Sequence, residues 1–305
     1  MSVLDELQQA VGQVADRVGP SVVGIGRGRG RGSGIVLADG RVATNAHNLR
    51  GEETIVVFAD GRSVTGHVEG VDVDADLAVL SADTGGAPAI AWAEDGAAAG
   101  VGAAVFAVAN PGGQLRVTFG LVSAVGRAFR GPRGRRIAGS IEHTAPLPRG
   151  SSGGPVVDGD GRLLGLNTNR LGDGFYLALP ADAELRRRLE GLGRGESPAR
   201  PRLGIGIAPA RVARHLRRAV GLPERDGLLV RVVEEGGPAD RAGLRTGDLV
   251  VEAGGRSVGD ADELYEALDQ VGAGQPLTLR VVRGTDELTV TVAFDDGGAE
   301  RVGSA

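Results

Sequence analysis

A serine framed by glycines stands at Pro148-Arg149-Gly150-Ser151-Ser152-Gly153-Gly154-Pro155, directly before the apolar pair Val156-Val157. Glycine admits backbone conformations closed to other residues and lets the chain approach a ligand closely. Such a turn can present the Ser152 hydroxyl where the N–H groups of Gly150 and Ser152 converge, and converging donors can hold an oxyanion that develops during acyl transfer. Taken alone the string is ambiguous, because Gly/Ser turns are common. A serine hydroxyl becomes a nucleophile when a general base stands beside it. All 34 basic side chains are arginine, and there is no cysteine. These absences exclude Ser–Lys dyads, Schiff-base and P-loop lysines, cysteine nucleophiles and zinc–thiolate sites, and they leave histidine as the natural base.

Of the four histidines, His47, His67, His143 and His215, only His47 has a chemical setting: Ala43-Thr44-Asn45-Ala46-His47 ends an apolar strand. A third group should be a carboxylate that holds the imidazole tautomer and stabilises the imidazolium. Val71-Asp72-Val73-Asp74-Ala75-Asp76 offers three, and Asp76 directly precedes the apolar run Leu77-Ala78-Val79-Leu80, where a carboxylate would be partly buried and pre-oriented. The same aspartates resemble the start of a calcium loop, but position six is Leu77 rather than glycine and position twelve is Asp83 rather than glutamate. The order His47, Asp76, Ser152 is that of the chymotrypsin-type double barrel, not of subtilisins or α/β-hydrolases.

The elements that must position these groups are short. Val3 to Val18 repeats apolar residues at three- and four-residue spacing, which predicts a helix ended by Gly19-Pro20. Twelve short Val/Ile/Leu runs broken by glycine follow, from Val22–Ile25 to Phe175–Ala178, and read as the strands of barrels or sandwiches. Asp182 to Leu189 reads as a helix. Gly191 to Pro201 has linker composition. Beyond it, strands are expected near 203–207, 228–233, 248–253, 277–283 and 287–293, with helices near 209–220 and 260–271.

Residues 18–180 resemble the protease domain of the HtrA (DegP/Deg) serine proteases. The matching stretches are Gly19-Pro20-Ser21-Val22-Val23, Gly32-Ser33-Gly34-Ile35-Val36, Thr44-Asn45-Ala46-His47, Asp76-Leu77-Ala78-Val79-Leu80, Gly120 to Arg127 and Ser151-Ser152-Gly153-Gly154-Pro155. Residues 202–294 resemble the PDZ domain that follows in that family. The resemblance implies a mostly β protein: a chymotrypsin-like double β-barrel protease domain plus a small α+β PDZ domain. The expected layout is an N-terminal helix (1–18), a protease domain (19–190), a linker (191–201), a PDZ domain (202–295) and a disordered tail (296–305).

The implied activity is endoproteolysis of unfolded or misfolded polypeptides for quality control, with no metal or cofactor. The expected rival is a non-proteolytic chaperone or peptide-binding scaffold on the same fold. In the PDZ unit, Leu203, Gly204, Ile205 and Gly206 match the loop that captures a C-terminal carboxylate, while Leu264 and Leu268 either wall the groove or belong to the core. The arginine-rich loop containing Arg130, Arg133, Arg135 and Arg136 occupies the position of the family's sensor loop, so a bound peptide or a neighbouring subunit is expected to order it. A homotrimer is implied, although no aromatic cluster near the N-terminus offers to hold one.

This sequence also departs from the family. Ser151 replaces the usual asparagine. His143-Thr144-Ala145-Pro146-Leu147-Pro148 lacks the usual Thr-Asp-Ala and carries two extra prolines. The residue six before the nucleophile forms the base of the specificity pocket in this fold, and here it is Pro146. Nothing there pairs with a basic P1 side chain, so cleavage after small or medium aliphatic residues is expected. The tract Arg27-Gly28-Arg29-Gly30-Arg31 reads as a solvated turn, because a net charge of −5 and an aromatic content of 3% argue against nucleic-acid binding. The start Met1-Ser2-Val3-Leu4-Asp5 shows neither a signal peptide nor an anchor. The expected location is therefore cytoplasmic, or exported with a leader absent from this chain.

Overall fold

The computed structural model describes residues 2–26, 31–93, 100–131, 134–172, 174–198, 201–272 and 274–294. Arg27–Gly30, Arg133 and the tail from residue 295 lie outside the described residues. The chain divides into two units, Met1–Pro198 (with the last five residues, which are not described) and Ala199–Glu300.

The first unit opens with α1 (Val3–Val18), whose start is closed by a reciprocal cap between Ser2 and Asp5. That pairing satisfies two N-terminal donors at once. Six strands then close an antiparallel barrel: β1 (Val22–Ile25), β2 (Gly32–Val36), β3 (Arg41–Thr44), β4 (Glu53–Val57), β5 (Ser63–Asp72) and β6 (Leu77–Ser81), in the order β1-β2-β3-β6-β5-β4. A second closed barrel follows: β7 (Ala104–Ala109), β8 (Arg116–Arg130), β9 (Arg136–His143), β10 (Pro155–Val157), β11 (Leu163–Gly172) and β12 (Phe175–Pro180), in the order β10-β11-β12-β9-β8-β7. The helix α2 (Ala183–Gly193) completes the unit.

Strands such as β1, β6 and β10 read as unbroken apolar runs because both of their faces are covered. Side chains alternate across a strand. In β6, Leu77 and Val79 enter the core shared by both barrels and both helices, whereas Ala78 and Leu80 fill the first barrel's interior. Val14 and Val18 of α1 and Leu185, Leu189 and Leu192 of α2 join the shared core. That one body of packed side chains holds the two barrels in fixed register, which a site assembled from both requires.

Composition places a linker at 191–201, but α2 runs through Gly193. Leu192 is buried in the shared core, and a Cβ at Gly70 would lie 2.4 Å from the Leu192 carbonyl. Burial of one leucine in that contact outweighs the poor helix propensity of the glycines beside it. The linker therefore begins later than its glycines suggest.

The second unit is a sheet with the order β13-β14-β15-β17-β18, in which β16 (Arg256–Ser257) pairs with β15. Its strands are β13 (Ile205–Ala208), β14 (Leu228–Val233), β15 (Leu249–Ala253), β17 (Leu277–Arg283) and β18 (Asp286–Val292), with helices α3 (Ala210–Ala219), α4 (Pro238–Arg241) and α5 (Ala261–Asp269). Asp260 and Glu263 cap α5 reciprocally. Leu264 and Leu268 of α5 are 4% and 3% exposed and pack with Leu279 and Val281 of the sheet. Of the two readings the sequence left open for them, the structure gives the core.

Candidate active site

β3 delivers Thr44 and Asn45, and the turn Ala46–Asn48 then presents His47. The β5–β6 connection delivers Asp76. Asp76 has φ +56°, the left-handed region, which aspartate tolerates better than most residues. Its carbonyl accepts from Asn45 Nδ2 at 2.8 Å, and its N–H donates to the Val73 carbonyl at 3.3 Å. With its backbone held at both ends, the carboxylate turns inward. His47 Nδ1 lies 2.9 Å from Asp76 Oδ1 and 2.8 Å from Oδ2, and the His47 N–H donates to Oδ1 at 3.1 Å. The carboxylate is 3% exposed and the imidazole 38%. One end of the ring is thus anchored in the interior while the other remains open to solvent and substrate.

Thr168, on β11 of the second barrel, also donates to Asp76 Oδ2, at 2.7 Å. Sequence reasoning missed it; its only signal is a polar pair, Asn167-Thr168, closing an apolar run. A hydrogen bond to a charged acceptor contributes about 1.5–3 kcal/mol. Thr168→Val should therefore lower kcat by about tenfold with KM steady, as measured by steady-state kinetics on a chromogenic peptide. An unchanged kcat would remove Thr168 from the constellation.

The neighbouring aspartates have other partners. Asp72 accepts from the Ala75 N–H at 3.0 Å and faces Arg188 at 3.5 Å. Asp74 pairs with Arg135 Nε at 3.0 Å, and both side chains are 8% exposed. Within the arginine-rich loop, Arg135 is thus one half of a buried ion pair in its own unit, and a buried guanidinium that lost its carboxylate would carry a heavy desolvation penalty. Arg130 donates to the Gly134 carbonyl at 2.8 Å, and Arg136 is exposed. Among the described residues no group of three or more His, Cys, Asp or Glu side chains is placed to hold a metal ion.

Ser152 lies on the turn between β9 and β10, and the first barrel grips that turn. The Ser33 N–H and Asn48 Nδ2 both donate to the Ser152 carbonyl, at 2.8 and 3.0 Å. Ser33 Oγ donates to the Gly150 carbonyl at 2.9 Å. A Cβ on Gly153, at φ +86°, would lie 2.2 Å from the Ser33 carbonyl, so glycine is required there. From the second barrel, Asn167 accepts from the Gly153 N–H at 2.7 Å and donates to the Gly154 carbonyl from both its backbone and its side chain. Serine and histidine are thereby fastened to common neighbours.

The Ser152 hydroxyl itself donates to the Thr168 carbonyl at 3.2 Å, and among the described residues no hydrogen bond joins it to His47. Gly150 has φ +85°. The N–H groups of Gly150 and Ser152 donate to no described residue. The hydroxyl of Ser151 is tied to the Pro148 carbonyl at 2.9 Å.

Behind this turn lies His143, fully buried, with Nε2 2.8 Å from Asn167 Oδ1 and its ring stacked on Tyr176 at 5.7 Å. Asn167 uses its amide nitrogen elsewhere, so Nε2 carries the proton and Nδ1 is left with no hydrogen-bond partner. Burial lowers the His143 pKa from its ordinary 6.5, and the bond to Asn167 offsets this only in part. The unfolded chain therefore takes up this proton at higher pH than the folded one does. The stability that neutral His143 contributes is complete above about pH 6.5 and is lost as the pH falls. The melting temperature of the wild type should fall more steeply than that of His143→Gln, which keeps a donor for Asn167, between about pH 7 and pH 5. Parallel curves in a calorimetric pH series would refute this.

A cleft runs beside the turn, with Pro146, Leu147 and Pro148 along it together with Arg170 and Tyr176. Arg170 Nη2 donates to the Leu147 carbonyl at 3.1 Å and to the Tyr176 hydroxyl at 2.8 Å. Burial pushes the Tyr176 pKa up, but hydrogen bonds with the Leu147 backbone and Arg170, together with the Arg170 charge, outweigh it and leave it lowered. Arg170 and Tyr176 went unnoticed in the sequence, because nothing local marks them as lining the same space as Pro146.

In the second unit, Leu203 is buried and Gly204 has φ +73°. Ile205 and Gly206 lie on β13, which among the described residues pairs only with β14 and so ends the sheet.

Two closed barrels that bring a buried aspartate, an anchored histidine and a glycine-cradled serine to common neighbours define a trypsin-like serine peptidase domain. Accordingly, the trypsin-like peptidase domain family matches residues 32–166, and the PDZ domain family matches residues 201–294. A DegP-like protein of Halomonas elongata, by name a periplasmic serine endoprotease, is 33% identical over 86% of this chain and 55% of its own length. HhoA of Synechocystis sp., by name a serine protease, is 34% identical over 85% of this chain and 69% of its own. The serine endoprotease structure from Yersinia pestis superposes with a TM-score of 0.62 at 26% identity, covering 93% of this chain and 98% of that one. The chain belongs to the HtrA/DegP family of serine endoproteases. It spans 55–58% of the DegP-like relatives from Halomonas elongata and Hahella chejuensis. Among the described residues, no helix is long and apolar enough to cross a membrane.

Proposed function

We propose that this chain is an active endopeptidase that hydrolyses unfolded or misfolded polypeptides, with Ser152 as nucleophile, His47 as general base and acid, and Asp76 as the orienting carboxylate. The observation that carries this reading is the grip of Asp76 on His47 Nδ1, at 2.8 and 2.9 Å. That bond fixes the proton on Nδ1, so Nε2 is the basic nitrogen and faces outward. The reading requires the Ser152 side chain to turn away from the Thr168 carbonyl so that Oγ meets Nε2, and such catalytic contacts often tighten only when substrate binds. His47 takes the hydroxyl proton as Oγ attacks the scissile carbonyl. The Gly150 and Ser152 N–H groups receive the oxyanion. His47 then protonates the leaving amine, and water resolves the acyl-enzyme.

The pocket base at Pro146 and the wall at Leu147 suit small or medium P1 side chains, and Pro146 offers no acid to pair with a basic one. The open edge of β13 suits an added peptide strand, with Leu203, Gly204, Ile205 and Gly206 capturing its terminal carboxylate; such a peptide raises the proteolytic rate. Mass spectrometry of a β-casein digest, with and without a peptide ending in an apolar residue, tests the reading. Serine-dependent cleavage supports it. Intact casein under both conditions would favour the non-proteolytic chaperone or scaffold.

A further inference from the structure

Three consecutive peptide groups of the nucleophile turn are each held by the carbonyl. Ser33 Oγ donates to the Gly150 carbonyl at 2.9 Å, the Gly154 N–H to the Ser151 carbonyl at 3.0 Å, and the Ser33 N–H to the Ser152 carbonyl at 2.8 Å. A peptide group is planar, so a fixed carbonyl oxygen restrains the whole plane. The middle bond is internal to the turn. Both outer bonds come from Ser33, with Asn48 Nδ2 adding another to the Ser152 carbonyl at 3.0 Å. Ser33 lies on β2 of the first barrel, whereas the turn joins two strands of the second. Ser33 is itself immobilised. It is fully buried, and its carbonyl accepts from Thr44 Oγ1 at 2.7 Å. Its hydroxyl accepts from the Asn110 N–H at 3.0 Å. Asn110 is also fully buried, and its amide donates to the Val22 and Val57 carbonyls at 3.3 Å. A hydroxyl has one hydrogen to give. With an N–H already aimed at its oxygen, that hydrogen is directed to Gly150.

We propose that Ser33 is a positioning residue that sets the oxyanion hole in its active geometry before substrate arrives. The inference rests on the endopeptidase reading above and concerns the two donors named there, the Gly150 and Ser152 N–H groups. Such donors stabilise an oxyanion strongly only when they need no reorganisation as charge develops. Gly150 is where reorganisation would be easiest. It sits at φ +85°, and glycine passes between conformations that other residues cannot reach. Released, its N–H would turn away from the site at little cost. The bond from Ser33 Oγ holds the peptide plane that follows Gly150, and this limits how its N–H can swing. The Ser152 N–H belongs to the middle plane, whose two neighbours Ser33 holds. The donors of the hole thus belong to one barrel, and a single buried serine of the other barrel fixes their direction.

The test compares wild type, Ser33→Ala and Ser33→Cys on a chromogenic peptide, alongside casein digestion by wild type and Ser152→Ala. Ser33→Ala keeps the backbone bond to the Ser152 carbonyl and loses only the hydroxyl. Its kcat should fall by about ten- to a hundredfold with KM within about twofold, short of the loss of about 10²–10³ that follows outright deletion of a donor. A peptidyl trifluoromethyl ketone gives the second readout. Ser152 Oγ adds to its carbonyl carbon, and the ketone oxygen becomes an oxyanion in the hole. Its affinity should fall by the same factor as kcat, while the matching peptidyl alcohol, which forms no oxyanion, binds as it does to wild type. Fluorine NMR should show the hemiketal ionising about one pH unit higher, because a misdirected donor favours the charged form less. Ser33→Cys fills the same space with a weaker donor and should lie between the other two; it decides by the same measurements should Ser33→Ala fail to fold. Wild-type kcat in a folded Ser33→Ala, or in Ser33→Cys, overturns the inference. So does a loss matched in KM or in the alcohol's affinity, or an unmoved hemiketal ionisation, since Ser33 would then merely support the turn. With Ser152-dependent cleavage by the wild type, these outcomes refute this inference alone. A wild type that cleaves neither casein nor peptide refutes the endopeptidase reading and this inference with it.

Discussion

Replacing Ser152 by alanine is expected to lower kcat on unfolded casein by about six orders of magnitude, to assay background, while leaving the fold intact. The size of the loss follows from the absence of a substitute. Ser151, the adjacent hydroxyl, is 3% exposed and bonded to the Pro148 carbonyl, and the chain holds no cysteine or lysine. The expected integrity of the fold follows from which atoms do the anchoring. The turn is held through the Ser152 carbonyl, which accepts from Ser33 and Asn48, and through Gly150, Gly153 and Gly154. Alanine keeps all of these contacts and loses only the bond from Oγ to the Thr168 carbonyl. The measurement is a digest of casein by both proteins with melting curves alongside. Residual cleavage within about a hundredfold of wild type would mean that another group is the nucleophile.

The second large effect is expected at Asp76. Asp76→Asn should lower kcat by about 10⁴ with a much smaller change in KM. Three donors converge on this carboxylate: the His47 N–H, the His47 ring nitrogen Nδ1 and the Thr168 hydroxyl. A carboxylate accepts from all three. An amide has one acceptor oxygen and an NH₂ group that must donate. With Thr168 and the His47 backbone competing for the oxygen, the NH₂ faces Nδ1, and the imidazole shifts its proton to Nε2. That nitrogen can then no longer take the serine proton. Asparagine tolerates the left-handed backbone as aspartate does, so the substitution isolates the chemical role from the strain at φ +56°. Nitrogen NMR of His47 would report the tautomer directly. A kcat within tenfold of wild type, or a ring still protonated at Nδ1, would overturn this account.

Both predictions concern residues that residue type and order had already marked. With lysine and cysteine absent, a serine among glycines and a histidine at a strand end point to each other, and their order with Asp76 selects the double barrel. The strands were legible too, because a strand buried on both faces must be apolar at every position, as at Leu77-Ala78-Val79-Leu80. Boundaries were legible only where the local signal and the packing agreed. The glycines at 191 and 193 suggest a linker, yet Leu192 between them is held in the core. Leu264 and Leu268 have the spacing of any amphipathic helix, which does not say what the apolar face meets.

The sequence by itself determined what chemistry this protein can do, since that depends on which functional groups the chain contains and on the glycines that allow one of them to be presented. Tertiary structure decided which groups share a site. Thr168 reaches Asp76 across 92 residues of chain, Ser33 and Asn48 hold a serine more than a hundred residues away, Arg135 pairs with Asp74, and Arg170 lines one cleft with Pro146. Each is an ordinary polar residue in its local context. Its role arises from barrel closure and from the shared core, which bring together segments that no periodicity or short motif connects.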